Sequence, residues 1–521
     1  MKKKYTYEVM GEERKVVYNY IPVRFVVAML VMIAEVIIMT GIVFALCYYV
    51  PYFYLAAWAT EIICVIKIIS SDENPDYKVP WLLFVLILPI AGFMLYFLFH
   101  SRTLSKRYIK RMKETEQYAY TWDDAPLFEQ LERENAVAYR QAKMLCSIAD
   151  AHLFKSTTQE YFPLGEHMHT RMLQDLEGAE HFIYMEYFIV EDGVFWGSIL
   201  DILKRKAARG VQVRVLYDDI GCMSTLPGDY FKQLCTYGIE SVPFSLLRGN
   251  ADGEFNNRSH RKILVIDGRV GYTGGINLAD EYINSIEKFG HWKDTAIRLE
   301  GRAVWELTRL FLIDFGINRK KLPVMPQNAY PQAQEAADAG YVIPFGDGPA
   351  PIYSQRVGKS VITNLLMQAT RYVYITTPYL IMDNELCSAM ENTARRGVDV
   401  KVIVPHVPDK KLVLEMTRSY YKRLIGAGVQ IYEYEPGFIH AKSYLADDDF
   451  GMIGTINLDY RSLVHHFENG VWMYRCPCLA DMKADFEEIL AKSIKADKKA
   501  ITPGLPGRAV RALVRVFAPL L

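Results

Sequence analysis

The sequence predicts an α/β protein of two duplicated lobes behind an apolar, helical N-terminal region. Three observations predict it. Apolar residues are concentrated in the first hundred positions. From about residue 140 onward, short β-rich runs alternate with helical patterns, the order expected of a mixed sheet flanked by helices. Two stretches far apart in the chain repeat each other in register. At 521 residues the chain is longer than one hydrophobic core needs, which suits this division.

Residues 1–115 are expected to form a membrane region with two or three hydrophobic helices. The runs are 26–47, interrupted only by Glu35; 52–69, carrying Glu61 and Lys67; and 81–99, with no charge. A bilayer core takes about twenty apolar residues, so the third run qualifies outright and the second is the weakest. The first qualifies if Glu35 faces protein. Tyr48, Tyr49, Tyr52, Tyr54 and Trp58 resemble an interfacial belt. A cleaved leader is disfavoured, because the first run starts late, is long and ends in the bulky Leu46. Basic residues flank the region at both ends, Lys2, Lys3 and Lys4 on one side and Arg102, Lys106 and Arg107 on the other. Both flanks favour the cytoplasm, which three full spans cannot satisfy. The expectation is an integral, multi-pass protein of the plasma membrane with its lobes on the cytosolic side.

The first lobe is expected over 140–322, a linker rich in Pro, Gln and Ala over 323–345, and the second lobe over 346–497. Helix-then-strand units recur: Arg209–Val215 matches Arg396–Val402, and Phe182–Tyr184 matches Tyr372–Tyr374. Such a long period indicates a pseudo-twofold pair of lobes. The basic, apolar tail at 503–521 either lies on anionic lipid or packs on the body. Lys plus Arg and Asp plus Glu are both 60, so zero net charge argues against nucleic acid as the partner. Eight scattered cysteines form no disulfide framework, and Cys476 and Cys478 have no second pair at zinc-site spacing.

The sharpest repeat is an H-x-K-x4-D pattern. His260, Lys262 and Asp267 are followed by Asn277; His440, Lys442 and Asp447 are followed by Asn457, each 180 residues later. One such pattern is a weak signal, but two in a single register are not accidental. A His and a Lys two apart on a strand leave from one face. Two lobes about a twofold then bring two imidazoles and two ammoniums to one pocket. The lysines suit the non-bridging oxygens of a phosphodiester. One histidine can attack phosphorus to form a phosphohistidine while the other handles the leaving and entering alkoxide protons. Lysine supplies the positive charge, so no metal or other cofactor is expected. Alternation puts Asp267 and Asp447 on the face away from the histidines, as braces rather than proton carriers. Asp294 and Glu468 are the candidates to fix the histidine tautomers.

The paired motifs resemble the phospholipase D superfamily. The strings Asn257-Arg-Ser-His260-Arg-Lys262, Thr273-Gly-Gly-Ile-Asn277, Tyr432-Glu-Tyr-Glu-Pro-Gly-Phe-Ile-His440 and Asn457-Leu-Asp-Tyr-Arg-Ser462 resemble bacterial cardiolipin synthases. The run at 26–47 departs from that family's two-span pattern. The resemblance implies two phospholipase D-like lobes and transfer of a phosphatidyl group between two phosphatidylglycerol molecules, giving cardiolipin and glycerol. It implies His260, Lys262, Asp267, His440, Lys442 and Asp447 as the catalytic set, with Asn277 and Asn457 holding phosphate. His260 is taken as nucleophile and His440 as acid and base, although near-symmetric motifs leave the order open. A phospholipase D that hydrolyses phospholipids or transfers the phosphatidyl group to another alcohol, a nuclease and an inactive membrane scaffold are the alternatives.

Overall fold

The computed structural model describes residues 2–9, 12–19, 23–71, 73–88, 92–96, 106–118, 122–246, 256–319, 322–325, 339–496 and 504–520. A seven-stranded sheet carries the first motif. Its strands lie in the order Thr158–Phe162, Ala296–Glu300, Val270–Gly274, Ile263–Ile266, Phe182–Tyr187, Gln212–Asp218, Glu240–Phe244. A nine-stranded sheet carries the second, with Tyr372–Thr376 between Asp399–Pro405 and Ser443–Ala446. The two centres are built alike. Phe182–Tyr187 pairs in parallel with Gln212–Asp218 and antiparallel with Ile263–Ile266. Tyr372–Thr376 does the same with Asp399–Pro405 and Ser443–Ala446.

Local sequence explains these units. All six residues of Phe182–Tyr187 are buried, as a central strand covered on both faces requires. The crossover helices Val194–Ala208 and Asn384–Arg395 are each followed by a glycine, Gly210 at φ +88° and Gly397 at φ +91°. That left-handed backbone ends the helix at little cost only without a Cβ. The helix Val304–Ile317 is buried over every residue except Arg309. It packs on strands of both sheets, so the lobes share one core.

Several expectations are corrected. Residues 140–155 do not belong to the first lobe: the helix Ala136–Ala149 packs on Val357–Gln368, and Phe154–Lys155 pairs with Tyr341–Asp347. Helical periodicity shows that a face is buried, not against what. Residues 341–345 are not linker but open the strand Tyr341–Asp347, after Gly340 turns the chain at φ +74°. Most of the expected linker, 326–338, lies outside the described residues.

The first two apolar runs fall in the helices Val23–Tyr49 and Pro51–Ser70. The third is not one helix. Pro75–Ile87 is 13 residues long and stops at Leu88, because a residue before proline is pushed out of the helical region. It docks on the second lobe instead: Asn74 donates to Asp383 at 2.9 Å, and the Tyr77 and Tyr460 rings meet at 5.0 Å. Among the described residues no helix is long and apolar enough to cross a membrane. The C-terminal helix Leu505–Phe517 buries one basic residue, Arg511, which donates to Glu415 at 2.9 Å, while Arg508 and Arg515 stay exposed, Arg515 lying over the Tyr420 ring.

Neither motif aspartate lies on a strand. Asp267 and Asp447 sit in hairpin turns at φ +52° and +56°. Asp267 accepts from the N–H groups of Glu180, His181 and Phe182 at 2.7–2.8 Å. Asp447 accepts from Thr370, Arg371 and Tyr372 at 2.7–2.9 Å. Burial raises the Asp447 carboxyl, but those three N–H donors outweigh it and hold it below its ordinary value. Each carboxylate therefore fastens a motif hairpin to the start of its central strand. Asp267→Asn is expected to cost about 1–3 kcal/mol of unfolding free energy, while the folded fraction stays active. Denaturant titration with an activity assay checks this, and an unchanged midpoint refutes the brace.

Candidate active site

Each motif histidine is held by backbone from the other lobe. Gly437–Ile439, just before His440, runs parallel to His291–Lys293 of the first lobe. The His440 N–H donates to the Lys293 carbonyl at 2.7 Å. In the counterpart position Ser259 bridges Phe467 in parallel, and the His260 N–H donates to the Phe467 carbonyl at 2.8 Å. The residue after each accepting carbonyl is acidic, Asp294 in one case and Glu468 in the other. The crossing thus delivers a carboxylate from each lobe to the imidazole of its neighbour.

Asp294 Oδ2 lies 2.6 Å from His440 Nδ1. The Glu468 oxygens lie 2.9 and 3.0 Å from His260 Nδ1. Both carboxylates are wholly buried. An ionised carboxylate only accepts, so each Nδ1 carries the hydrogen and each Nε2 presents a lone pair. Glu468 also takes the Ser462 hydroxyl at 2.6 Å and the Thr455 hydroxyl. Gly275 is the counterpart of Thr455, and a Cβ there would lie 2.0 Å from Asp294 Oδ1. The shorter carboxylate occupies the room that Thr455 fills in the second lobe.

The histidines and lysines of both motifs lie outside regular structure, just before the strands Ile263–Ile266 and Ser443–Ala446, not on them as the alternation argument assumed. Each lysine returns to the carbonyl of its own histidine, Lys262 at 2.7 Å. Lys442 Nζ also lies 2.8 Å from His440 Nδ1. Burial lowers His260 to about 3, with Glu468 opposing and Lys262 assisting. Burial, assisted by Lys442 and Lys262, lowers His440 to about 4. Lys262 falls to about 7 through burial, Glu468 opposing and Lys442 adding to the fall. Lys442 falls to about 8 through burial, against Asp294 and Glu468. Burial pushes both carboxylates up, but the paired histidines and nearby cations win and hold them below the ordinary range. Groups from both motifs sense one another, so the two halves form one electrostatic unit.

Asn277 already accepts from the Ile189 N–H at 3.1 Å and donates to the Tyr282 hydroxyl at 2.7 Å. Its amide shapes the loop beside the site. Asn457 keeps a buried Oδ1 without a hydrogen-bond partner among the described residues. Two features escaped sequence reasoning. Arg261 is buried between Asp314 at 2.8 Å and the Glu468 carbonyl at 3.0 Å, tying the first motif to the second lobe. His466 sits with its ring 5.5 Å from that of His260; its place two residues before Glu468 was the available signal. His260, His466 and Glu468 offer atoms within 4.8 Å of one another, a spacing a metal ion could use. Glu468 is already occupied by donors, and Lys262 opposes a further cation there.

The comparisons with known proteins agree with this geometry. A family model described as cardiolipin synthase, PLD-like domain matches residues 172–289 and 362–490, once across each motif. A phospholipase D-nuclease N-terminal model matches residues 62–99. An uncharacterized protein of Streptococcus mutans is 41% identical over 464 residues, 88% of this chain and 99% of that one. A cardiolipin synthase of Halalkalibacterium halodurans is 32% identical, covering 82% of this chain and 85% of its own length. Cardiolipin synthase 2 of Bacillus anthracis is 32% identical over 88% of this chain and 89% of its own. The crystal structure of a phosphatidylserine synthase from Haemophilus influenzae shares the fold, with a TM-score of 0.56 at 18% identity, covering 74% of this chain and 98% of that one. The chain belongs to the cardiolipin synthase family of phospholipase D-like proteins.

Proposed function

We propose that this chain transfers a phosphatidyl group from one phosphatidylglycerol to the glycerol hydroxyl of another, releasing glycerol and forming cardiolipin. The observation that carries it is the pair of buried imidazoles, each with a carboxylate on Nδ1 and a buried lysine beside it. His260 Nε2 attacks phosphorus, and the bond to the leaving glycerol oxygen breaks. His440, as an imidazolium held by Asp294, gives that oxygen its proton. The anionic phosphodiester favours this charged form as it enters. The incoming glycerol hydroxyl then attacks the phosphohistidine and loses its proton to His440, and the P–N electron pair returns to His260. Lys262 and Lys442 balance charge on the non-bridging oxygens.

The order of roles has one support. Lys442 contests Nδ1 of His440, whereas among the described residues Nδ1 of His260 meets only the Glu468 oxygens at hydrogen-bonding distance. The steadier lone pair belongs to His260, which suits the nucleophile. Asp267 and Asp447 act by fastening the motif hairpins, and Asn277 and Asn457 by shaping the phosphate cradle. The helices Val23–Tyr49 and Pro51–Ser70 anchor the protein in the bacterial membrane, supported by outward Ile37, Ile38, Phe44, Ile63 and Ile66. The lobes then work on anionic lipid at the cytosolic face.

Purified protein given labelled phosphatidylglycerol is expected to release glycerol and form cardiolipin, undiminished by a metal chelator. His260→Ala and His440→Ala each abolish the transfer. Phosphatidic acid as the sole product would overturn the transferase. The pH profile follows from the shifted groups. Protonation of His260, at about 3, removes the nucleophile only in strong acid. Lys262 and Lys442, at about 7 and about 8, lose charge as pH rises, so kcat/KM falls on an alkaline limb in that interval. A profile flat to the ordinary lysine range, about 10.4, contradicts the lysine role.

A further inference from the structure

His466 is buried, and neither ring nitrogen has a hydrogen-bond partner among the described residues. Buried imidazole nitrogens are rarely left so without reason, and an unfilled donor beside a reaction centre points to a group that arrives later. Its surroundings are specific. The ring centroid lies 5.5 Å from His260 and 6.4 Å from Phe188, whose own ring lies 5.1 Å from His260. Nδ1 is 3.7 Å from Glu468 Oε1, beyond hydrogen-bond reach, and Glu468 already holds His260, Thr455 and Ser462. At that separation the carboxylate attracts the imidazole electrostatically but takes no hydrogen bond from it. The backbone is also unusual: Arg461–His465 is a single π-helical turn, a form concentrated at functional sites, and it ends immediately before His466.

The duplication sharpens the point. His466 precedes Glu468 by two residues, as Trp292 precedes Asp294. Trp292 flanks His440 at 5.6 Å, much as His466 flanks His260. Trp292 is packed among the rings of Tyr282 and Phe438, at 4.6 and 4.9 Å. The Trp292 Nε1–H, like the His466 nitrogens, has no hydrogen-bond partner among the described residues, so each half holds an unfilled donor, an indole in one and an imidazole in the other.

We propose that His466 is a third imidazole of the reaction, donating an N–H to a non-bridging oxygen of the phosphodiester held at His260. The donor adds to Lys262 and Lys442 but needs no charge of its own, and it strengthens as negative charge builds on that oxygen in the transition state. It also makes the duplicated halves chemically unequal, with an imidazole beside His260 where an indole stands beside His440. This rests on the phosphatidyl-transfer reading above.

The test compares His466→Phe, which keeps a ring against Phe188 but has no donor, with His466→Gln, which keeps an N–H. Both are assayed for transfer from phosphatidylglycerol in mixed micelles, with thermal unfolding measured in parallel and His260→Ala as reference. His466→Phe is expected to lower kcat by about 100-fold with KM little changed and an unaltered unfolding midpoint, and His466→Gln to recover most of the loss. Wild-type kcat in His466→Phe overturns the proposal. So does an equal loss in both variants, or a loss that tracks a fallen midpoint. Activity surviving in His260→Ala overturns the transfer mechanism itself, a different failure.

Discussion

Everything at the site depends on the crossed pairing of each imidazole with the carboxylate of the opposite lobe. Glu468 and Asp294 are both wholly buried, and an unpaired carboxylate there would cost several kcal/mol. The histidines remove that cost only if the lobes stand in one relative position. The parallel pairing of His291–Lys293 with Gly437–Ile439, and the Ser259 to Phe467 bridge, fix that position by backbone hydrogen bonds. Further ties reach across the same seam, with Thr295 and Ser443 hydroxyls 2.9 Å apart and Asn469 donating to Thr273 at 2.7 Å. A lone lobe would hold a histidine without its carboxylate and a buried carboxylate without its histidine. Folding of the pair and assembly of the site are therefore one event.

The same burial sets the chemistry. Four basic groups packed together raise the cost of one another's charge, and two buried carboxylates cannot neutralise them all. The compromise is visible in which groups yield. The carboxylates stay ionised, the imidazoles go neutral, and the lysines drop to about 7 and about 8. Before substrate enters, the site therefore holds two neutral imidazoles and lysines that give up their charge far more readily than a free lysine. An entering phosphodiester supplies the missing negative charge and draws the lysines and one imidazole back to their cationic forms. Substrate binding and acid activation are coupled through this balance.

Much of this was legible in the chain, for physical reasons. A duplication leaves both motifs and their flanking units in fixed register, so two lobes and a shared pocket follow from His260 and His440 alone. Asp294 and Glu468 were identifiable as residue types at a suitable distance. Which histidine each serves was not, because the pairing is made between lobes and leaves no local pattern. The placement of 140–155 was misjudged for the same reason: Leu145 and Ala142 mark a buried face, whichever lobe buries it. The break at Leu88 was readable from Pro89, yet the uncharged run outweighed it. His466 hid in plain composition, one of two adjacent histidines whose difference is only burial.

Duplication followed by divergence explains the small inequalities between the halves. Thr455 faces Gly275, Glu468 faces Asp294 and His466 faces Trp292 across the pseudo-twofold. The changes are correlated: a longer carboxylate reaches its histidine with a threonine hydroxyl behind it, while a shorter one needs the space a Cβ would take. A symmetric site can hold a symmetric intermediate, but phosphoryl transfer through histidine is asymmetric at every step. One imidazole must bond phosphorus while the other carries a proton. Identical halves would leave two registers for the substrate at equal free energy, each blocking the other. Unequal donors around otherwise equivalent histidines lift that degeneracy, and a difference of about 1.4 kcal/mol already gives a tenfold preference for one register.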